Sequence, residues 1–118
     1  MLSLKRFNVD VTKHEPPPKP GGMRVLDSLL GIVEMGQDPQ LVYQVAEDLV
    51  ARAEVGRERY GTYLEAHNGR DATMDAYQEA LDLLMYLEQI RIEAHGDPQI
   101  ADYMSITLMV TLGLRARL

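Results

Sequence analysis

The stretch Asp71-Ala-Thr-Met-Asp-Ala-Tyr-Gln-Glu-Ala-Leu-Asp-Leu-Leu-Met-Tyr-Leu-Glu-Gln-Ile90 decides the fold class. At about 100° per residue, a helix here spreads Ala76, Tyr77, Ala80, Leu81, Leu83, Leu84, Met85, Leu87 and Ile90 over roughly 220° of its circumference. Asp75, Glu79 and Asp82, spaced i, i+4, i+7, fall in the gap that remains. An apolar arc that wide is suited to burial among other helices. The gap is then either a thin solvated strip or a row of carboxylates facing a site.

On the N-terminal side, residues 61–71 read as a connection. Asn68-Gly69 marks a turn because both residues tolerate positive φ, and Asp71 is a good N-cap. Asp38-Pro39 opens an earlier helix running to about Arg59, with Leu41, Val42, Val45, Ala46, Leu49, Val50 and Ala53 as its apolar face. Glu47, Glu54 and Glu58 lie along the edge of that face. A first helix is expected over Met23 to Met35, ending at Gly36.

On the C-terminal side, the opening helix stops near His95-Gly96. Asp97-Pro98 then starts a fourth helix whose apolar residues, from Ile100 to Leu114, almost encircle it. The pattern predicts an all-α fold, a four-helix bundle-like single domain over 23–118. So apolar a last helix calls for a second copy to cover it, hence a homo-oligomer. Residues 1–22 read as a flexible arm: Leu2, Leu4, Phe7, Val9 and Val11 alternate loosely, and Pro16-Pro-Pro-Lys-Pro20 reads as a spacer rather than a partner ligand.

The chain has 118 residues, enough for one real core, and a formal charge of −6. That charge argues against gripping a nucleic-acid polymer through its backbone. The lack of cysteine rules out disulfides and thiolate zinc sites and suits a cytoplasmic setting. No apolar run is long enough to span a membrane, and no signal peptide is visible.

Two helices joined by a short turn lie antiparallel. Glu54 and Glu58 can then approach Asp75, Glu79 and Asp82. Carboxylates converging beside apolar surface repel unless a cation neutralises them, and an all-oxygen donor set suits Mg²⁺ or Mn²⁺. Arg57, Arg59 and Arg70 flank this region and could meet phosphates. Taken singly, a Glu-x-x-Asp or the Glu54/Glu58 pair is ordinarily a solvated helix face, and only their coincidence on neighbouring helices points to a site. Tyr60, Tyr63, Tyr77 and Tyr86 either stack on a base or pack in the core or an interface. His67 and His95 read as a loop residue and a helix-end residue, and His14 is uninformative.

The run Glu54-Val-Gly-Arg-Glu-Arg-Tyr60, followed by His67-Asn-Gly-Arg-Asp71 and Asp75-Ala-Tyr-Gln-Glu79-Ala-Leu-Asp82-Leu-Leu-Met-Tyr86, resembles the phage-type MazG-like all-α nucleoside triphosphate pyrophosphohydrolases, relatives of dimeric dUTPases and MazZ. In that family a Glu-x-x-Glu and a Glu-x-x-Asp on successive helices hold Mg²⁺. Glu79-Ala-Leu-Asp82 matches the second half, whereas Glu54 and Glu58 stand one residue further apart than the first half requires. The resemblance implies hydrolysis of a (d)NTP to monophosphate and diphosphate in a dimer or tetramer. Glu54, Glu58, Glu79 and Asp82 would be the catalytic metal ligands, with Asp75 an outer ligand and Glu47 a possible substitute. Arg57, Asn68, Arg70 and Tyr86 would contact substrate. Two other readings stand beside this one: a non-catalytic helical oligomerisation or partner-binding module, and a protein that binds a nucleotide without cleaving it.

Overall fold

The computed structural model describes residues 10–12 and 16–118. The expectations for Leu2, Leu4, Phe7, Val9 and His14 fall outside those residues. The fold is all-α. Among the described residues there are four helices and no strand: α1 (Val25–Val33), α2 (Pro39–Tyr60), α3 (Ala72–Glu93) and α4 (Pro98–Ala116). No helix among these residues is long and apolar enough to cross a membrane.

Local chemistry accounts for most boundaries. Asp38 accepts hydrogen bonds from the N–H groups of Gln40 and Leu41, with Pro39 occupying the first turn. Asp97 and Pro98 repeat the device on α4, and Asp71 caps α3 by accepting from Met74 N–H. Gly61, in the left-handed region at φ 78°, closes α2 by donating its N–H to the Arg57 carbonyl. At the far end of α3, His95 and Gly96 both take positive φ, turning the chain sharply into α4.

α1 is shorter than the Met23–Met35 span expected from its periodicity. Arg24 forms an isolated antiparallel bridge with Glu65, and Met23 O and Val25 N–H bond to Ala66 and Leu64. The backbone groups that would begin a helix at Met23 are therefore taken by an extended pairing.

The chain divides into two compact units, one built from the described residues of 16–70 and the other from residues 10–12 and 71–118. In the first unit, α1 packs on α2. Leu26, Leu29, Leu30 and Val33 meet the face of α2 bearing Val42, Ala46, Leu49 and Ala53, all half-buried at i, i+3, i+4 and i+7 spacings. In the second, α3 and α4 pack along their lengths. The seam is formed by Tyr77, Ala80, Leu84, Leu87 and Arg91 on α3, spaced by threes and fours, and by Ile100, Met104, Thr107, Thr111 and Leu114 on α4. Such alternation keeps two helices in register, as in a coiled coil. Ala80 and Leu87 are the deepest apolar side chains, and buried Thr111 satisfies its hydroxyl by donating to the Thr107 carbonyl at 2.7 Å. Residue 11 belongs to this unit: its carbonyl accepts from Gln78 Nε2 at 2.8 Å.

Candidate functional site

The residues singled out for chemistry fall in both units. Glu54, Glu58, Arg57, Asn68 and Arg70 belong to the first, and Asp75, Glu79, Asp82 and Tyr86 to the second.

In the first unit, Glu54 is already engaged. It stands on α2 with its side chain half-exposed, and Arg57, one turn on, donates Nε to Glu54 Oε2 at 2.8 Å. From the loop beyond α2, the Tyr63 hydroxyl donates to Glu54 Oε1. The Arg24 guanidinium lies 4.5 Å from the centroid of the Tyr63 ring, and that of Arg57 lies 5.8 Å from it. The electrostatics follow from this arrangement. The hydroxyl of Tyr63 and then the Arg57 guanidinium hold the Glu54 carboxyl below its usual range. Reciprocally, the bond to Glu54 raises the Tyr63 hydroxyl. Glu54 is thus an ionised carboxylate at neutral pH, with each oxygen accepting one hydrogen bond.

Glu58 is exposed one turn beyond Glu54. Glu47, the possible substitute ligand, lies one turn from Tyr43, and its carboxylate holds the Tyr43 hydroxyl above its usual range. Asn68 is buried and its Oδ1 accepts from Arg70 N–H at 3.1 Å, so its side chain shapes the turn that carries Arg70. The Arg70 guanidinium donates Nη1 to the Pro16 carbonyl at 2.8 Å.

In the second unit, the outer side of α3 settles what the acidic gap is made of. Ala76, Glu79, Leu83, Tyr86 and Ile90 are all exposed and repeat by threes and fours. They form a second apolar seam alongside the one that meets α4, and Glu79 sits inside it rather than in a polar strip. Asp82 is exposed one turn further on, and Asp75 is half-buried near the start of the helix. Neither Glu79 nor Asp82 has a hydrogen-bond or ion-pair partner among the described residues. Within neither unit do three acidic or histidine side chains converge on a metal-sized space, among the described residues.

Tyr63 and Arg24 were missed as members of the Glu54 cluster. Arg57 was expected to meet phosphates, and its pairing with Glu54 was not read, although an i, i+3 spacing on a helix favours it. Tyr63 reaches Glu54 from nine residues on, across the Gly61 cap, and Arg24 approaches from the other end of the unit; no periodicity signals either contact. Compared with protein-family models, curated proteins and solved structures, the chain matches none.

Proposed function

We propose that the chain is a Mg²⁺-dependent nucleoside triphosphate pyrophosphohydrolase of the MazG-like all-α type, working as a homo-oligomeric helical bundle on the cytoplasmic nucleotide pool. The reaction is hydrolysis of a (d)NTP to its monophosphate and diphosphate. One observation carries the reading: among the described residues Glu79 has no partner within an apolar seam of α3, and neither has Asp82 one turn on. A carboxylate in a seam that will be covered needs a cation, or it costs stability.

The donor set fits Mg²⁺, which typically takes one or two carboxylates and completes its shell with waters and substrate phosphates. When bound, the ion supplies charge neutralisation for the phosphates and a more acidic water. The protein's own residues do the rest. Glu79 and Asp82 would hold the ion, with Asp75 as an outer ligand (Mn²⁺ would serve in place of Mg²⁺). By the resemblance, Glu54 and Glu58 of α2 would complete the set of metal ligands, and Glu54, kept ionised, would orient the attacking water through a carboxylate oxygen. The water oxygen would bond to the α-phosphorus as its proton passes to solvent, the bond to the bridging oxygen would break, and diphosphate would leave with that oxygen. Arg57 and Arg70 meet the outer phosphates, Asn68 holds the turn beneath Arg70, and Tyr86, largely exposed, offers its ring to the base.

The direct experiment is to measure monophosphate and diphosphate release from a panel of dNTPs with and without Mg²⁺. Turnover that requires the metal is expected, and no turnover of any nucleotide overturns the proposal. A second reading, a non-catalytic helical module, is favoured by Glu54, whose oxygens are both used within the protein. Calorimetry with Mn²⁺ separates the two, because such a module takes up no specific metal.

A further inference from the structure

Residues 16–25 run extended along residues 64–70, and the two segments are linked repeatedly. Lys19 N–H donates to Asn68 O at 3.1 Å and Gly22 N–H to Ala66 O at 2.6 Å. In return Ala66 N–H donates to Met23 O at 2.8 Å, and Val25 N–H donates to Leu64 O at 3.0 Å. Side chains add Gly21 N–H to Glu65 Oε1 at 3.2 Å and Arg70 Nη1 to Pro16 O at 2.8 Å. The approach is close enough to require glycine: a Cβ on Gly21 would fall 2.3 Å from Ala66 O and 2.6 Å from His67 O, both backbone atoms.

The register of this pairing has a chemical consequence. It sets Arg24 opposite Glu65 and so brings the Arg24 guanidinium over the ring of Tyr63, whose hydroxyl donates to Glu54. A glutamate on an exposed helix face ordinarily samples several rotamers, which costs entropy to fix. Here the carboxylate is held from both sides, by Arg57 on its own helix and by Tyr63 from the loop, and Tyr63 is itself held by the arm.

We propose that residues 16–25 are a strap that fixes Tyr63, through Arg24, and thereby orients the Glu54 carboxylate, so that Tyr63 and Arg24 are positioning residues for the acidic site. This deepens the pyrophosphohydrolase reading and rests on it for the purpose of the orientation. The strap, and its effect on Tyr63, are physical claims independent of activity.

The test compares full-length wild-type protein with Gly21→Ala, Arg24→Gln and Tyr63→Phe by amide hydrogen exchange, by NMR of the Tyr63 ring and by Mn²⁺ calorimetry. In Gly21→Ala the amides of Lys19, Val25 and Ala66 should exchange about tenfold faster or more while those of α3 and α4 stay unchanged, as expected for a local opening. The Tyr63 ring resonances should move in Gly21→Ala and in Arg24→Gln alike. Tyr63→Phe should leave strap protection intact and weaken Mn²⁺ binding about three- to tenfold, an effect of the size seen when the partners of metal ligands are removed. Gly21→Ala should match that loss of metal affinity. Unchanged exchange in Gly21→Ala overturns the strap, and should that variant fail to fold, Arg24→Gln reads the same coupling with the strap's backbone bonds untouched. Ring resonances of Tyr63 that ignore Arg24→Gln overturn the coupling. If the wild type takes up no Mn²⁺ the catalytic reading falls, while the exchange and ring measurements still decide whether the strap positions Tyr63. Normal Mn²⁺ affinity in Tyr63→Phe overturns the link from Tyr63 to metal.

Discussion

At the scale of single residues, Glu54 and Glu79 are opposites. Glu54 has both oxygens occupied by Tyr63 and Arg57, whereas Glu79 has no partner among the described residues. A substitution at each should therefore report different things. Glu79→Gln keeps the shape and removes the charge. It should lower nucleotide hydrolysis by on the order of a hundredfold or more while leaving helical circular dichroism unchanged, the loss expected when an interaction of the transition state disappears. Glu54 instead has a pH signature in stability. A carboxyl held below its unfolded value of 4.5 stabilises the fold fully above that value, and the contribution is lost as pH falls from there through the folded pKa. Tyr63 has the opposite sign: raised above 10.0, it stabilises fully below that value and loses the contribution as pH rises through its folded pKa. The stability gap between wild type and Tyr63→Phe should thus be widest between about pH 4.5 and pH 10 and shrink outside that window. Urea denaturation midpoints across the pH range measure it, and a gap constant with pH would show that the hydrogen bond contributes nothing. The i, i+3 spacing of Glu54 and Arg57 permits their pair, but the sequence alone assigned Arg57 to phosphates instead. Tyr63 was not legible, because the contact is made by the path of a loop rather than by a repeat.

At the scale of elements, the helices were legible because their ends are written in local chemistry. The caps at Asp38, Asp71 and Asp97 and the left-handed Gly61 hold where side-chain type and turn geometry demand. The start of α1 was not legible, since the extended pairing of residues 16–25 competes for its first backbone groups and a proline-rich run carries no alternation to announce it. Within α3, the opening stretch resolves from one broad apolar arc into two seams, a division that spacing allows but only packing reveals. That division predicts unequal costs. Leu87 lies in the seam against α4 and is only 8 % exposed, whereas Leu83, on the outer seam, is 45 % exposed. Leu87→Ala should destabilise by about 2–3 kcal/mol, from lost burial and the cavity left behind, in thermal or urea unfolding of dilute protein. Leu83→Ala should cost under about 0.5 kcal/mol under the same dilute conditions, as surface changes do. Equal costs would show that the outer seam is covered within one chain.

At the scale of the whole molecule, the dominant fact is how little of the apolar surface is hidden among the described residues. Ala80 and Leu87 are buried, while Ile106, Met109, Val110 and Leu112 of α4 and Leu83, Tyr86 and Ile90 of α3 stay exposed. A large exposed apolar surface on a folded domain marks an interaction face, and the commonest solution for identical chains is closed symmetry. The same logic links assembly to chemistry, since the outer seam of α3 that asks for cover also carries Glu79. Burying that seam against another helix would lower the dielectric around Glu79 and make a cation there more necessary. Stability should then depend on protein concentration, because association that is specific to the folded state adds to it by mass action. The thermal midpoint should rise with concentration. Ile106→Glu with Met109→Glu, which places two charges on the exposed side of α4, should abolish that rise without loss of helix. Added Mn²⁺ should raise the midpoint of the assembled wild type more than that of the double variant, whose Glu79 would stand in water. Equal metal stabilisation of both proteins in scanning calorimetry would separate assembly from metal binding and leave α4's apolar surface a matter of packing alone.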